Sequence, residues 1–191
     1  MSERIARLGL EELAPELAEK LRARVARLGY LGEFFACAGH QPAALVGFVD
    51  FTEALKQALP LRLTQLCALS VAGELGNDYE RNQHERLSLR LGLERAWIAS
   101  VNARDPEARD PDGATRLDAT DRAAQRLVLA VVRRGGRDVA RELADVVDCV
   151  GAEQAVGVLL VIGRYVAHAL FVNALEIRPP VPSIFEDGFE P

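Results

Sequence analysis

Apolar residues fall at Leu10, Leu13, Leu17, Leu21, Val25 and Leu28, in steps of three and four with charges between them. This spacing predicts an amphipathic helix from Leu10 to Leu28, ended at Gly29. Glu33 to Gly39 reads as a short helical or turn segment. His40-Gln41-Pro42 interrupts it, because the residue before a proline avoids helical angles. Pro42 suits the first turn of a helix running to about Leu59, with Leu45, Phe48, Val49, Thr52 and Leu55 as its inner face. Pro60 opens the next helix, to about Leu75, which is apolar on most sides and is therefore expected to be buried all round. A polar helix carrying Glu80 and His84 follows and ends at Gly92, and Glu94 to Val101 forms a shorter one.

The segment NARDPEARDPDGATRLD, residues 102 to 118, is rich in Asp, Pro and Gly and reads as a loop near the candidate site. The helical pattern returns from Thr120 to Arg133, with Ala123, Ala124, Leu127, Val128, Val131 and Val132 on one side, and stops at Gly135-Gly136. Asp138 to Val150 is a further amphipathic helix. Gly151 separates it from a long hydrophobic helix, Ala152 to about Glu176. Pro179, Pro180 and Pro182 end helical structure and leave a tail, 179–191, that either docks through Ile184, Phe185 and Phe189 or stays loose. No stretch alternates as a strand does, so the fold class is all-α.

At 191 residues and 49% hydrophobic content the chain is expected to form a single domain over 1–191. Its core is expected over about 42–101 and a second helical half over about 118–177. The formal net charge of −5, with 23 basic and 28 acidic residues spread along the chain, offers no basic face to nucleic acid. Cys37, Cys67 and Cys149 are isolated, with no CxxC, which argues against a disulfide framework or a common zinc site and suits a reducing cytoplasm. The N-terminus lacks the apolar core of a secretory signal. The most hydrophobic segment, AVGVLLVIGRYVAHALFVNAL, is broken by Arg164 and His168, so it reads as a buried helix rather than a membrane span.

Candidate chemistry collects between Val71 and His84, where Asn77, Glu80 and His84 share one helical face at about 100° per residue. A Glu four residues before a His places carboxylate and imidazole together within one helix, and that pair is a candidate proton-transfer dyad. Two structural readings stand beside it. Asn77 followed by Glu80 also fits an N-terminal capping pair, and His84 also fits a hydrogen-bonded core histidine. No phosphate loop, GxSxG elbow or HExxH occurs, and no metal or cofactor is expected. A metal site from Glu80, His84 and either His40 or His168 is the weaker alternative. Arg164 and His168 share a face of the last helix, which a polar packing cluster explains as well as a site does.

The chain resembles the carboxymuconolactone decarboxylase superfamily, which includes the AhpD-type alkylhydroperoxidases. The resemblance is carried by HQPAALVGFVDFTEAL, by LPLRLTQLCALSVAGELGNDYERNQHERLSLRLGL and by LLVIGRYVAHALFVNAL. It implies an all-helical AhpD-like subunit, an obligate oligomer built as a homotrimer or homohexamer. In AhpD-type members a Glu precedes the His by nineteen residues and a CxxC pair by seven and four. Those places here hold Gln65, Asn77 and Glu80, so the disulfide relay is expected to be absent.

The decarboxylase branch, where a Glu also stands four residues ahead of the His, implies His84 as proton donor and Glu80 as its orienter. The amides of Asn77 and Gln65 are expected to bind substrate and hold a developing oxyanion. The expected function is therefore a non-redox, lyase-like reaction on a small carboxylate or lactone. A non-catalytic ligand-binding or assembly protein is the alternative, and an AhpD-type peroxidase comes last. The expected partners are a small-molecule substrate and further copies of the chain, with neither nucleic acid nor membrane.

Overall fold

Proline decides where the first long helix begins. The structure, a computed structural model, describes residues 5–109, 116–186 and 189. The apolar row that starts at Leu10 is not one helix: a single 3₁₀ turn, Leu10–Glu12, is followed by α1 (Pro15–Leu28), with Ala14 in an extended conformation between them. The Pro15 ring displaces Ala14 from helical angles and sits comfortably as the first helical residue, so spacing alone overstates the helix by a turn and a half. Next come α2 (Glu33–Ala38), α3 (Pro42–Ala58), α4 (Leu61–Glu74), α5 (Asp78–Arg90), α6 (Arg95–Ala103), α7 (Ala119–Arg134) and α8 (Ala140–Ala174). Among the described residues there is no strand, and the all-α expectation holds.

The chain divides into two compact units, Met1–Ala54 and Leu55–Pro191. In the first, Leu13, Leu17, Leu21, Phe34, Phe35, Leu45 and Val49 are buried, and Phe34 packs edge-on against Phe35. Lys20 pairs with Asp50 at 2.6 Å and ties α1 to α3.

In the second unit α4 is the axis, with every residue from Leu63 to Ala72 buried. Around it pack α5, α6, α7 and α8. Buried Asp121 links three of these helices: it takes the Arg62 guanidinium of α4 and, at 2.9 Å, the Trp97 indole N–H of α6, while also closing the capping box of α7. The two expected helices on either side of Gly151 are the halves of α8, which bends where Gly151 adopts φ 80° and ψ 166°. That backbone region is open in practice only to glycine.

The tail docks. Ile184 is fully enclosed and serves as the anchor, while Phe185 stays half out of the protein against Arg95, and Arg86 covers the Phe189 ring. In the loop over 102–118, Glu107 pairs with Arg126 of α7 at one end, and the Leu117 carbonyl accepts from Arg122 at the other. The middle of that loop, residues 110–115, lies outside the described residues, as do 187, 188, 190 and 191 of the tail.

Candidate active site

The junction of α4 and α5 is built by two adjacent residues. Gly76, at φ 63°, turns the chain out of α4, with its N–H bonded to the Gly73 carbonyl and the following Asn77 N–H to the Ala72 carbonyl. This paired closure of a helix end requires a left-handed residue, which glycine supplies. Asn77 then starts α5: its side-chain oxygen accepts the Glu80 N–H at 3.2 Å. Gly76 thus ends one helix and Asn77 begins the next.

The capping box anticipated from Asn77 and Glu80 is only half formed, because the Glu80 side chain is drawn elsewhere. Its Oε1 accepts from Arg164 of α8 at 2.8 Å and faces His84 Nε2 at 3.5 Å, while Oε2 faces His168 Nε2 at 3.7 Å. Burial alone would raise the Glu80 pKa; His168, the hydrogen bond from His84 and the Arg164 charge oppose it, and the carboxyl ends well below its ordinary 4.5. Glu80 is therefore a fixed anion in a closed setting, unsuited to donating a proton at neutral pH.

His84 is held from both sides. Its Nδ1 is 2.7 Å from Gln65 Oε1 of α4, an oxygen that also accepts from Ser88 at 3.4 Å. With acceptor oxygens opposite both ring nitrogens, the arrangement accommodates the doubly protonated imidazole, the form that can deliver a proton. Tyr165 meets the ring edge-on with centroids 5.1 Å apart, and the Arg164 guanidinium lies 4.3 Å from the centroid of the Tyr165 ring.

Of the residues singled out in sequence, Gln65, Glu80 and His84 are thus joined directly, and Asn77 stands at the start of the same helix. Gln65 spends its carbonyl on His84 and so positions the imidazole. The amide nitrogen of Asn77 is buried and has no hydrogen-bond partner among the described residues. His40 is not part of the cluster; its ring contacts the Ala6 carbonyl within the first unit. Among the described residues no group of three or more His, Cys, Asp or Glu side chains is placed to hold a metal ion.

Arg164 and His168, whose shared face fits a polar packing cluster by spacing alone, belong to the site, and Tyr165 joins them. The signal was a cation and an imidazole one turn apart inside the most apolar helix, where an ionisable group needs a buried partner. No thiol joins the cluster. Cys67 is fully enclosed in α4, and burial pushes its thiol up to about 12. Cys149 is exposed and Cys37 is buried in the first unit.

The backbone arrangement is found in solved proteins. The debrominase Bmp8 superposes with a TM-score of 0.78 at 16% identity, over 95% of this chain and 94% of that one. Its cysteine-to-alanine variant in complex with 2,3,4-tribromopyrrole gives 0.77 at 16%, over 93% and 92%. A protein of unknown function from Agrobacterium tumefaciens, proposed there as an AhpD of antioxidant defence, gives 0.63 at 17%, over 76% of this chain and 96% of that one. The chain has the AhpD-like fold. Neither protein-family models nor curated proteins match the sequence. Within this fold, α4, α5 with its cap Asn77, and the inward face of α8 supply every member of the cluster described above.

Proposed function

We propose that this chain is a non-redox enzyme that moves a proton on a small carboxylate or lactone substrate, with decarboxylation as the reaction its side chains suit best. The observation that carries this reading is the His84 imidazole fixed between Gln65 and an ionised Glu80. In the proposed step the bond to the substrate carboxylate breaks and leaves its electron pair as a dienolate while carbon dioxide departs. His84 then gives a proton to the carbon, from Nε2, the nitrogen less closely held. Glu80 faces that nitrogen and orients the ring, and Arg164 keeps Glu80 in place. The Asn77 amide nitrogen, buried without a partner, suits a developing oxyanion.

A small cyclic substrate agrees with the tribromopyrrole held by the debrominase variant of this fold. Thiol-based removal of halogen, or peroxide reduction, is not supported at this cluster, because none of the three cysteines belongs to it. The same three free cysteines suit a cytoplasmic protein, and the reading requires neither nucleic acid, membrane nor cofactor. One observation favours a second reading, a non-catalytic binding or assembly protein: the Glu80–Arg164 pair also clamps α5 to α8, as a purely structural ion pair would.

Lactone and keto acids followed by loss of ultraviolet absorbance separate the two readings. A substrate turned over by the wild type is expected to lose at least about 100-fold with His84→Ala, at unchanged circular dichroism. Turnover indifferent to that substitution would remove the catalytic reading.

A further inference from the structure

The outward face of α8 is apolar and bare. Val156 (55% exposed), Leu160 (46%) and Leu170 (59%) stand out of the second unit, and Gly163, Ala167 and Ala174 are exposed on the same row. The six positions follow one another in steps of four, three, four, three and four, the seam spacing of paired helices. Between Glu153 and Glu176 the ionisable side chains of this stretch, Arg164, Tyr165 and His168, are all buried on the inward side. The row therefore carries no charge.

Its order also reads alike from both ends. Gly163 and Ala167 flank the centre at the level of Tyr165, Leu160 and Leu170 lie outside them, and Val156 and Ala174 come last. Two such rows crossed antiparallel place small residues at the point of closest approach. Each Leu160 then lies beside the other copy's Leu170. Small residues at a crossing let backbones come near, and flanking leucines fill the space where the helices diverge. A surface complementary to itself under a two-fold rotation is the signature of an isologous contact. A chain of net charge −5 meets its own copy here without burying a charge.

We propose that this face of α8 binds a second copy of the chain, antiparallel, about a two-fold axis near Tyr165. The contact backs the turns that carry Arg164 and His168 to Glu80, so association would stiffen the inner site from behind. Such a pair fits a hexamer assembled from dimers and does not fit a lone trimer. A lipid surface is the competing occupant, since α8 is long and apolar enough to cross a membrane. A bilayer, however, would meet only one narrow stripe of a helix whose opposite face holds an arginine and a histidine against a carboxylate.

The test uses the full chain. Light scattering after size exclusion is expected to give an even number of copies for the wild type. The double variant Leu160→Glu, Leu170→Glu alters two exposed positions; it should halve that mass or reduce it to one chain, with circular dichroism unchanged. In a Cys149→Ser background, mixing Leu160→Cys with Leu170→Cys is expected to yield mainly the disulfide between the two different variants. A monomeric wild type, an unchanged mass in the charged variant, or disulfides only between like variants would each overturn the proposal. So would flotation of the wild type, but not the charged variant, with phosphatidylcholine–phosphatidylglycerol vesicles.

Discussion

Two buried carboxylates on α5, Glu80 and Glu85, lie little more than a helical turn apart and serve opposite ends. Glu85 Oε2 accepts from the Ser183 hydroxyl at 2.6 Å and the Ile184 N–H at 3.0 Å, and Oε1 from the Asn102 amide at 2.7 Å. Arg81 stands further off at 3.6 Å. The close partners of Glu85 neither gain nor lose protons at neutral pH, and two of them, Ser183 and Ile184, fix the tail onto α5. Glu80 is surrounded instead by two imidazoles and a guanidinium. Burial is common to both, so burial does not mark a site; the titratable character of the neighbours does.

Breaking Glu85 should have the largest effect on the fold. Glu85→Ala strands three donors, each worth about 1–3 kcal/mol when left without an acceptor, and the expected loss is about 3 kcal/mol or more in urea unfolding. Limited proteolysis should then cleave the tail near Arg178 well before the rest. In contrast, Glu80→Gln should leave the tail protected, and a tail released equally in both variants would erase the distinction.

Gly151→Ala comes next. It forces a side chain into a backbone conformation that costs about 1–3 kcal/mol, expected as a lowered Tm. Because the bend orients the half of α8 that bears Arg164 and His168, a milder fall in turnover should accompany it.

The pH dependence sharpens the comparison further. Glu80 has a folded pKa below its unfolded value, so its stabilisation is present above about pH 4.5 and is lost as pH falls through the depressed folded value. The stability gap between wild type and Glu80→Gln should therefore be widest above pH 4.5 and shrink in stronger acid; a gap constant with pH would contradict this. The smallest effect concerns Cys67. With its thiol pushed up to about 12, it should react with a disulfide reagent only after unfolding, whereas Cys149 should react in the native protein.

Much of the helical order was legible because it rests on short-range rules. The all-round apolar run of α4, its end near Leu75, the Asn77 cap and the break at Gly151 each follow from local spacing or backbone preference. Spacing misplaces the start of α1 because an apolar row continues across Pro15, and the proline overrides the row. At the site, Glu80 and His84 were legible since they share one helix turn. The choice between a capping and a buried-site role for Glu80 depended on Arg164, 84 residues away. No local pattern encodes that distance. Likewise, the tail showed three apolar candidates for docking, and only the closed space around Ile184 selects among them.

The central claim is that Glu80 is a permanent anion beside His84 while enclosed by protein. Carbon-13 NMR of the glutamate side-chain carboxyls, assigned with Glu80→Gln and followed against pH, tests this without a substrate. The account predicts a Glu80 signal that stays at its ionised position through pH 4.5 and moves only in stronger acid. A Glu80 carboxyl that takes up its proton at or above pH 4.5 would contradict it.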